Sequence, residues 1–177
     1  MISMKHKNTN REYAFLMVEY ETPDFIQNLH KSLPKNELYV ENDNNDYGIE
    51  EESHVTLVPC LDNDIDLTEL KKYLKKLSDY KIVLTDISKF ECDNFDVLKC
   101  NVNSKALKDT NKEICKRFNT HSEFKDYKPH MTIAYMKHGM ADKYLKNILD
   151  KMIFLKPKNF HFSFVDKNGN EKHIRFE

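Results

Sequence analysis

Apolar and polar positions follow two different periods along this chain, and the switches between them mark its elements. Tyr13 to Tyr20 (YAFLMVEY) is almost continuously apolar and reads as a buried strand. Thr22-Pro23-Asp24 reads as a helix start, with Thr22 as N-cap and Pro23 in the first turn. Phe25, Ile26, Leu29 and Leu33 then fall at helical spacing until Pro34 ends the run. Glu37 to Val40 reads as a short strand. Residues 41–53 (ENDNNDYGIEEES) are acidic and Asn-rich and predict a loop that closes over a bound ligand. Leu67, Leu70, Leu74 and Leu77 predict a second helix over that span. Lys81–Phe90 and Phe95–Val102 alternate as strands and are joined by a turn at Glu91–Asn94. Ser104 caps a helix reaching about Phe118, with Leu107, Ile114 and Phe118 inward. A further helix is predicted from Ala141 to Met152. Asn159–Val165 and Lys172–Phe176 read as a hairpin turning at Asn168-Gly169. Residues 1–10 read as a loose tail.

The order repeats. Strand, helix and a second strand recur, and both second strands open on the same four-residue pattern: His54-Val55-Thr56-Leu57 and His130-Met131-Thr132-Ile133. With 8 histidines in 177 residues, chance supplies His-x-Thr with apolar flanks roughly 0.06 times; it occurs twice. An internal duplication is the simplest account. The expected fold is α+β: a bilobal pseudo-two-fold duplication, with mainly antiparallel sheets lining a central cleft and helices packed outside. The whole chain, 1–177, reads as one domain with lobes at roughly 12–80 and 81–177.

Side chains alternate faces along a strand. Each motif therefore offers an imidazole and a hydroxyl on one face. Val55, Leu57, Met131, Ile133 and, by parity, Tyr135 go to the core face. Two such strands facing one cleft suit in-line attack on a phosphodiester. One neutral histidine takes a proton from the nucleophile, and the other, protonated, gives one to the leaving oxygen. The threonine hydroxyls hold the non-bridging oxygens. The arrangement requires no metal and no cofactor.

Bulk composition narrows the substrate. Net charge is −1, so a long nucleic acid finds little non-specific attraction, whereas a compact nucleotide suits a cleft. Three glycines leave no phosphate-binding Gly-rich loop. Cys60, Cys92, Cys100 and Cys115 form no C-x-x-C pair, and the polar start of the chain is no secretory signal. They read as reduced, mostly buried thiols in a cytoplasmic protein. No apolar run is long enough for a membrane span. The Asn- and Lys-heavy mix hints at an AT-rich, viral or phage genome.

HVTL and HMTI resemble the signature of the 2H phosphoesterase superfamily. That family includes RNA 2′,5′-ligase-like proteins, cyclic phosphodiesterases of tRNA metabolism and viral enzymes degrading 2′,5′-oligoadenylate. It also includes phage enzymes that destroy cyclic-oligonucleotide signals of CBASS immunity, and YGIEEESHVTLVP and YKPHMTIAYM look most like this small-protein branch. The resemblance spans about residues 12–176. It implies a bilobal fold and places His54, Thr56, His130 and Thr132 at the catalytic positions. The expected activity is metal-independent cleavage of a 3′,5′- or 2′,3′-phosphodiester in a small cyclic mono- or oligonucleotide by a monomer, in the host cytoplasm if viral. The alternatives are opening of 2′,3′-cyclic phosphates on RNA ends, or sequestration without cleavage.

For base stacking, Tyr13, Tyr47 and Tyr127 lie before or beside the motifs, and Lys128 is placed to attract a phosphate. His121 and His138 flank the second motif and are candidates for the cleft rim, though a place outside the site is the plainer reading for both. His6, His30, His161 and His173 are expected in solvent.

Overall fold

The computed structural model describes residues 13–41, 47–122, 126–146 and 152–177. Eight strands lie among them: β1 (Tyr13–Tyr20), β2 (His54–Asp62), β3 (Ile82–Glu91), β4 (Phe95–Asn103), β5 (His130–Lys137), β6 (Ile153–Leu155), β7 (Pro157–Val165) and β8 (Glu171–Phe176). They form one curled antiparallel sheet in the order β6-β3-β4-β5-β2-β1-β7-β8. The helices are α1 (Asp24–Ser32), the single-turn α2 (Leu67–Lys71) and α3 (Lys105–Arg117). No helix among the described residues is long and apolar enough to cross a membrane.

The two motif strands meet in the middle of the sheet, where Val55 pairs with Met131. Outward from that seam the halves correspond. In β1–β2 the register runs Glu19↔His54, Met17↔Thr56, then Leu16↔Val58, so Leu57 is an extra residue. In β4–β5 it runs Asn101↔His130, Lys99↔Thr132, then Leu98↔Ala134, so Ile133 is extra. Each half thus carries a bulge one residue after its threonine, a coincidence that a duplicated unit explains directly. C-terminal β7 and β8 lie beside β1, so the strands of the two halves are not contiguous in sequence.

One face of the sheet is the core: Leu16, Val18, Val55, Leu57, Leu98, Cys100, Met131 and Ile133 have no exposed surface. Burying a side chain such as Leu57 contributes about 1.5–3 kcal/mol. The helices pack crosswise. From α3, Asn111 Nδ2 donates to Leu57 O at 2.9 Å; from α1, His30 Nε2 donates to Ile133 O at 3.0 Å. Each helix therefore supports the bulge in the other half's motif strand.

Several sequence expectations change. Thr22 is not the cap of α1: Pro23 occupies that place, its carbonyl accepting from Ile26 and Gln27, while the Thr22 carbonyl accepts from the Gln27 side chain. Residues 37–40 are not a strand but the end of a 3₁₀ turn (Lys35–Glu37) and a single bridge from Leu38 to Met136. The helix expected over 67–77 stops at Lys71. The next N–H groups reach back only three residues, and buried Tyr80 captures the Lys75 N–H with its hydroxyl at 3.0 Å. The helix expected over 141–152 is a 3₁₀ turn (Asp142–Tyr144), after which Lys146 bonds the backbone of Ile87 in both directions. Residues 147–151 of that helix, and the tail 1–10, lie outside the described residues.

The segment 47–53 is no free lid. Gly48 O accepts from Tyr135 N at 2.7 Å and Glu50 N donates to Ile133 O at 3.0 Å, so it runs along β5 beyond the seam; 42–46 are outside the described residues. Of the cysteines, all free, Cys100 is buried, Cys60 and Cys92 are half-buried and Cys115 is exposed.

Tyr135 is buried, but not on the core face. The extra residue at Ile133 shifts the parity, so Tyr135 stands opposite Val97, on the face that Lys99 and Asn101 share. There it packs with Tyr47 and Phe95.

Candidate active site

The face opposite the core carries both histidines. Their anchoring is the same: Nδ1 of His54 donates to Glu52 O at 2.9 Å, and Nδ1 of His130 to Lys128 O at 2.9 Å. Donation from Nδ1 fixes the neutral tautomer, leaving a lone pair on Nε2. Neither Nε2 has a hydrogen-bond partner among the described residues, and neither do the hydroxyls of Thr56 and Thr132. The Val55–Met131 register sets His54 on the Thr132 side and Thr56 on the His130 side. The four side chains assigned from sequence therefore converge about the seam.

The walls flanking them differ. On the β3–β4 side, Phe90 meets the His130 ring edge-on at 4.8 Å between centroids. Lys99, only 4% exposed, places Nζ 4.3 Å over the Phe90 ring. Lys99 donates to Ser88 Oγ at 2.7 Å and to Asn101 Oδ1 at 2.5 Å, and Asn101 Nδ2 donates to Asp86 at 2.7 Å. Burial pushes the His130 imidazole down to about 4, with the nearby charges of Lys99 and His54 acting the same way. Burial also lowers Lys99, opposed by Asp86.

On the β1–β7 side, Met17 stands where Lys99 does and Glu19 where Asn101 does. His161, opposite Met17, donates from Nδ1 to Glu19 at 2.7 Å and shares a 2.9 Å hydrogen bond with His173. Arg175 bridges Glu19 at 2.9 Å and Glu52 at 3.0 Å. The donor atoms of Glu19, Glu52 and His161 lie within 4.8 Å of one another, near enough for a metal, but Arg175 already supplies the positive charge those carboxylates require. His161 is therefore buried and paired, not in solvent; burial lowers its pKa, against the pull of Glu19. His30 is half-buried on Ile133 O, again unlike the sequence expectation. His6 is outside the described residues.

The sequence-assigned binding residues disperse. Tyr13 pairs with Asp62 at the far end of β2 from His54, stacked on His121 at 4.8 Å. His121 itself bonds Asp62 at 2.5 Å. His138 lies beyond the end of β5, near Glu91 and Asp96. Tyr127 packs against the core and donates its hydroxyl to Thr56 O at 2.8 Å, so it braces the motif strand. Tyr47 joins Tyr39, Phe95 and Tyr135 in an aromatic cluster on the Lys99 face. Lys128 contributes its carbonyl to His130 and leaves its side chain exposed. Lys99 was not singled out from sequence. Its signal is a pair of polar residues two apart, Lys99 and Asn101, in the otherwise apolar run VLKCNV, which puts both on one strand face.

Residues 37–164, most of the chain, match the model of the 2'-5' RNA ligase superfamily. No curated protein sequence matches the chain. Among solved structures it is similar to Kluyveromyces marxianus Usb1, at 10% identity over 93% of this chain and 98% of that one, with a TM-score of 0.53. It is similar to E. coli LigT complexed with 3'-AMP, at 13% identity over 94% and 95%, with a TM-score of 0.51. It is also similar to TT0787 of Thermus thermophilus, at 12% identity over 93% and 95%, with a TM-score of 0.52. At these identities the likeness is one of fold.

Proposed function

The chain belongs to the 2'-5' RNA ligase superfamily, and on that premise we propose that it is a phosphodiesterase cleaving a small cyclic nucleotide or cyclic oligonucleotide, of the kind used in immune signalling. The observation that supports this reading is the matched pair of histidines, each held by Nδ1, with Nε2 unbonded among the described residues. His130, kept neutral by burial, accepts the proton of the attacking hydroxyl on Nε2. The oxygen–phosphorus bond forms in line as the opposite phosphorus–oxygen bond breaks. His54, protonated, donates from Nε2 to the leaving oxygen. Exchange with water then returns the proton from His130 to His54. Thr56 and Thr132 donate to the non-bridging oxygens. A nucleotide ligand agrees with the 3'-AMP in the LigT structure, and a compact one with the net charge of −1.

The test is a substrate panel in EDTA, with products resolved by mass: cyclic mononucleotides, 3′,5′- and 2′,5′-linked cyclic oligonucleotides, and RNA ending in a 2′,3′-cyclic phosphate. Cleavage of the cyclic nucleotides is expected. Activity restored only by a divalent metal contradicts the two-histidine mechanism. A second reading, opening of 2′,3′-cyclic phosphates on RNA ends, draws support from the RNA in the family's description. It predicts turnover of the RNA substrate alone, with binding that weakens steeply in salt.

A further inference from the structure

We propose that Lys99 is the anion receptor of this site, its ammonium taking a non-bridging oxygen of the substrate phosphate beside His130 and Thr132. The inference rests on the phosphodiester reading and goes beyond it, because Lys99 belongs to neither motif.

Position comes first. Lys99 stands directly across the β4–β5 ladder from Thr132, and Asn101 directly across from His130, so both point to the face that carries the chemistry. Phe90 touches both the Lys99 ammonium and the His130 ring, which places the cation one aromatic ring away from the imidazole.

Charge comes second. A buried ammonium costs several kcal/mol unless it is paired. Lys99 has no carboxylate within ion-pair distance among the described residues, unlike Lys89, which has Asp142 at 2.8 Å and Asp96 at 3.4 Å. Its two oxygen acceptors are the neutral groups of Ser88 and Asn101. The Asn101 amide is oriented by Asp86, so its oxygen is turned to Lys99. An ammonium has three donors, which leaves one for a ligand.

The other half of the molecule supplies the control. Met17 holds the corresponding place, directly across from Thr56. The same backbone frame therefore accepts an apolar side chain there, and the fold does not require the cation. What Lys99 adds is one-sided: it draws the phosphate toward His130 and away from the wall where Glu19 and Glu52 lie.

The experiment measures binding of inorganic phosphate and of 3'-AMP by calorimetry in EDTA, alongside turnover of the substrate panel, for wild type, Lys99→Met and Lys99→Gln. Circular dichroism and thermal melts accompany each variant. Lys99→Met installs the residue of the corresponding position, and Lys99→Gln keeps hydrogen bonding without charge. Both are expected to melt cooperatively and to bind 3'-AMP about 10- to 100-fold more weakly, as loss of a charged hydrogen bond predicts. Either folded variant binding both probes within about twofold of wild type overturns the inference, as does wild type binding neither probe. Wild type that binds 3'-AMP through Lys99 but cleaves nothing overturns the phosphodiesterase reading and leaves the receptor standing. Wild type that cleaves, with both variants binding and turning over unchanged, does the reverse.

Discussion

His54 and His130 are held in the same way, each Nδ1 2.9 Å from the backbone carbonyl oxygen two residues before it. The bond depends on how the chain enters each motif strand, so it sets the ring and the tautomer together. Both rings then present Nε2 to the same face.

Removing either ring should disable the site to a similar extent. His54→Ala and His130→Ala are each expected to lower kcat by about 10²–10⁴-fold, the usual worth of a general acid or base. The double variant should be little worse than either single one, since the two act as a unit. Full turnover by either single variant, measured by mass-resolved product formation, would overturn the assignment.

Acidity should act through His130. Its folded pKa is about 4, below the ordinary value of 6.5, so the unfolded chain binds this proton first as pH falls. The contribution of His130 to stability is complete above about 6.5 and is lost as pH falls through about 4. Urea titrations across that window should show the slope, and His130→Gln should flatten it. The same group must be neutral to accept a proton, so kcat/KM should hold down to about 4 on this limb.

Asn111→Ala removes the donor to Leu57 O from a buried site where water does not replace it. The expected cost is about 1–3 kcal/mol in urea denaturation. His30→Ala, at the corresponding bond to Ile133 O, should cost less because His30 is only half-buried.

Tyr127→Phe tests the brace on Thr56. Burial raises the Tyr127 phenol far above its ordinary range, so it stays a donor at every working pH. Losing the hydroxyl should cost about 1 kcal/mol and lower kcat more than it changes KM, because the bond positions a motif strand. Stopped-time assays over a substrate series separate the two.

Alternation makes much of this legible. Continuous or two-period apolar runs locate β1, β3, β4 and the terminal hairpin, and Ser104 is the cap of α3 that its sequence context suggests, its hydroxyl accepting from Leu107 N. The short helices are not legible. Leucines at helical spacing over 67–77 have the right period, but Tyr80 takes the Lys75 N–H and the helix ends early. Tyr135 fails for a related reason: parity counting presumes an unbroken register, and the bulge at Ile133 breaks it.

The sequence by itself determined the two motifs and their partition between faces, because strand periodicity and motif identity are local properties written in consecutive residues. Only the tertiary structure decided which residues surround them. Lys99, Asn101, Phe90, Glu19 and His161 reach the site through ladder register with strands far away in sequence, and register depends on bulges and on crosswise helix packing that no single segment contains. It also decided the environments of these residues: the His130 pKa is depressed by the burial of its ring and by the charges of Lys99 and His54, and Lys99 has no carboxylate within ion-pair distance among the described residues, properties of a packed wall and not of a string of residues.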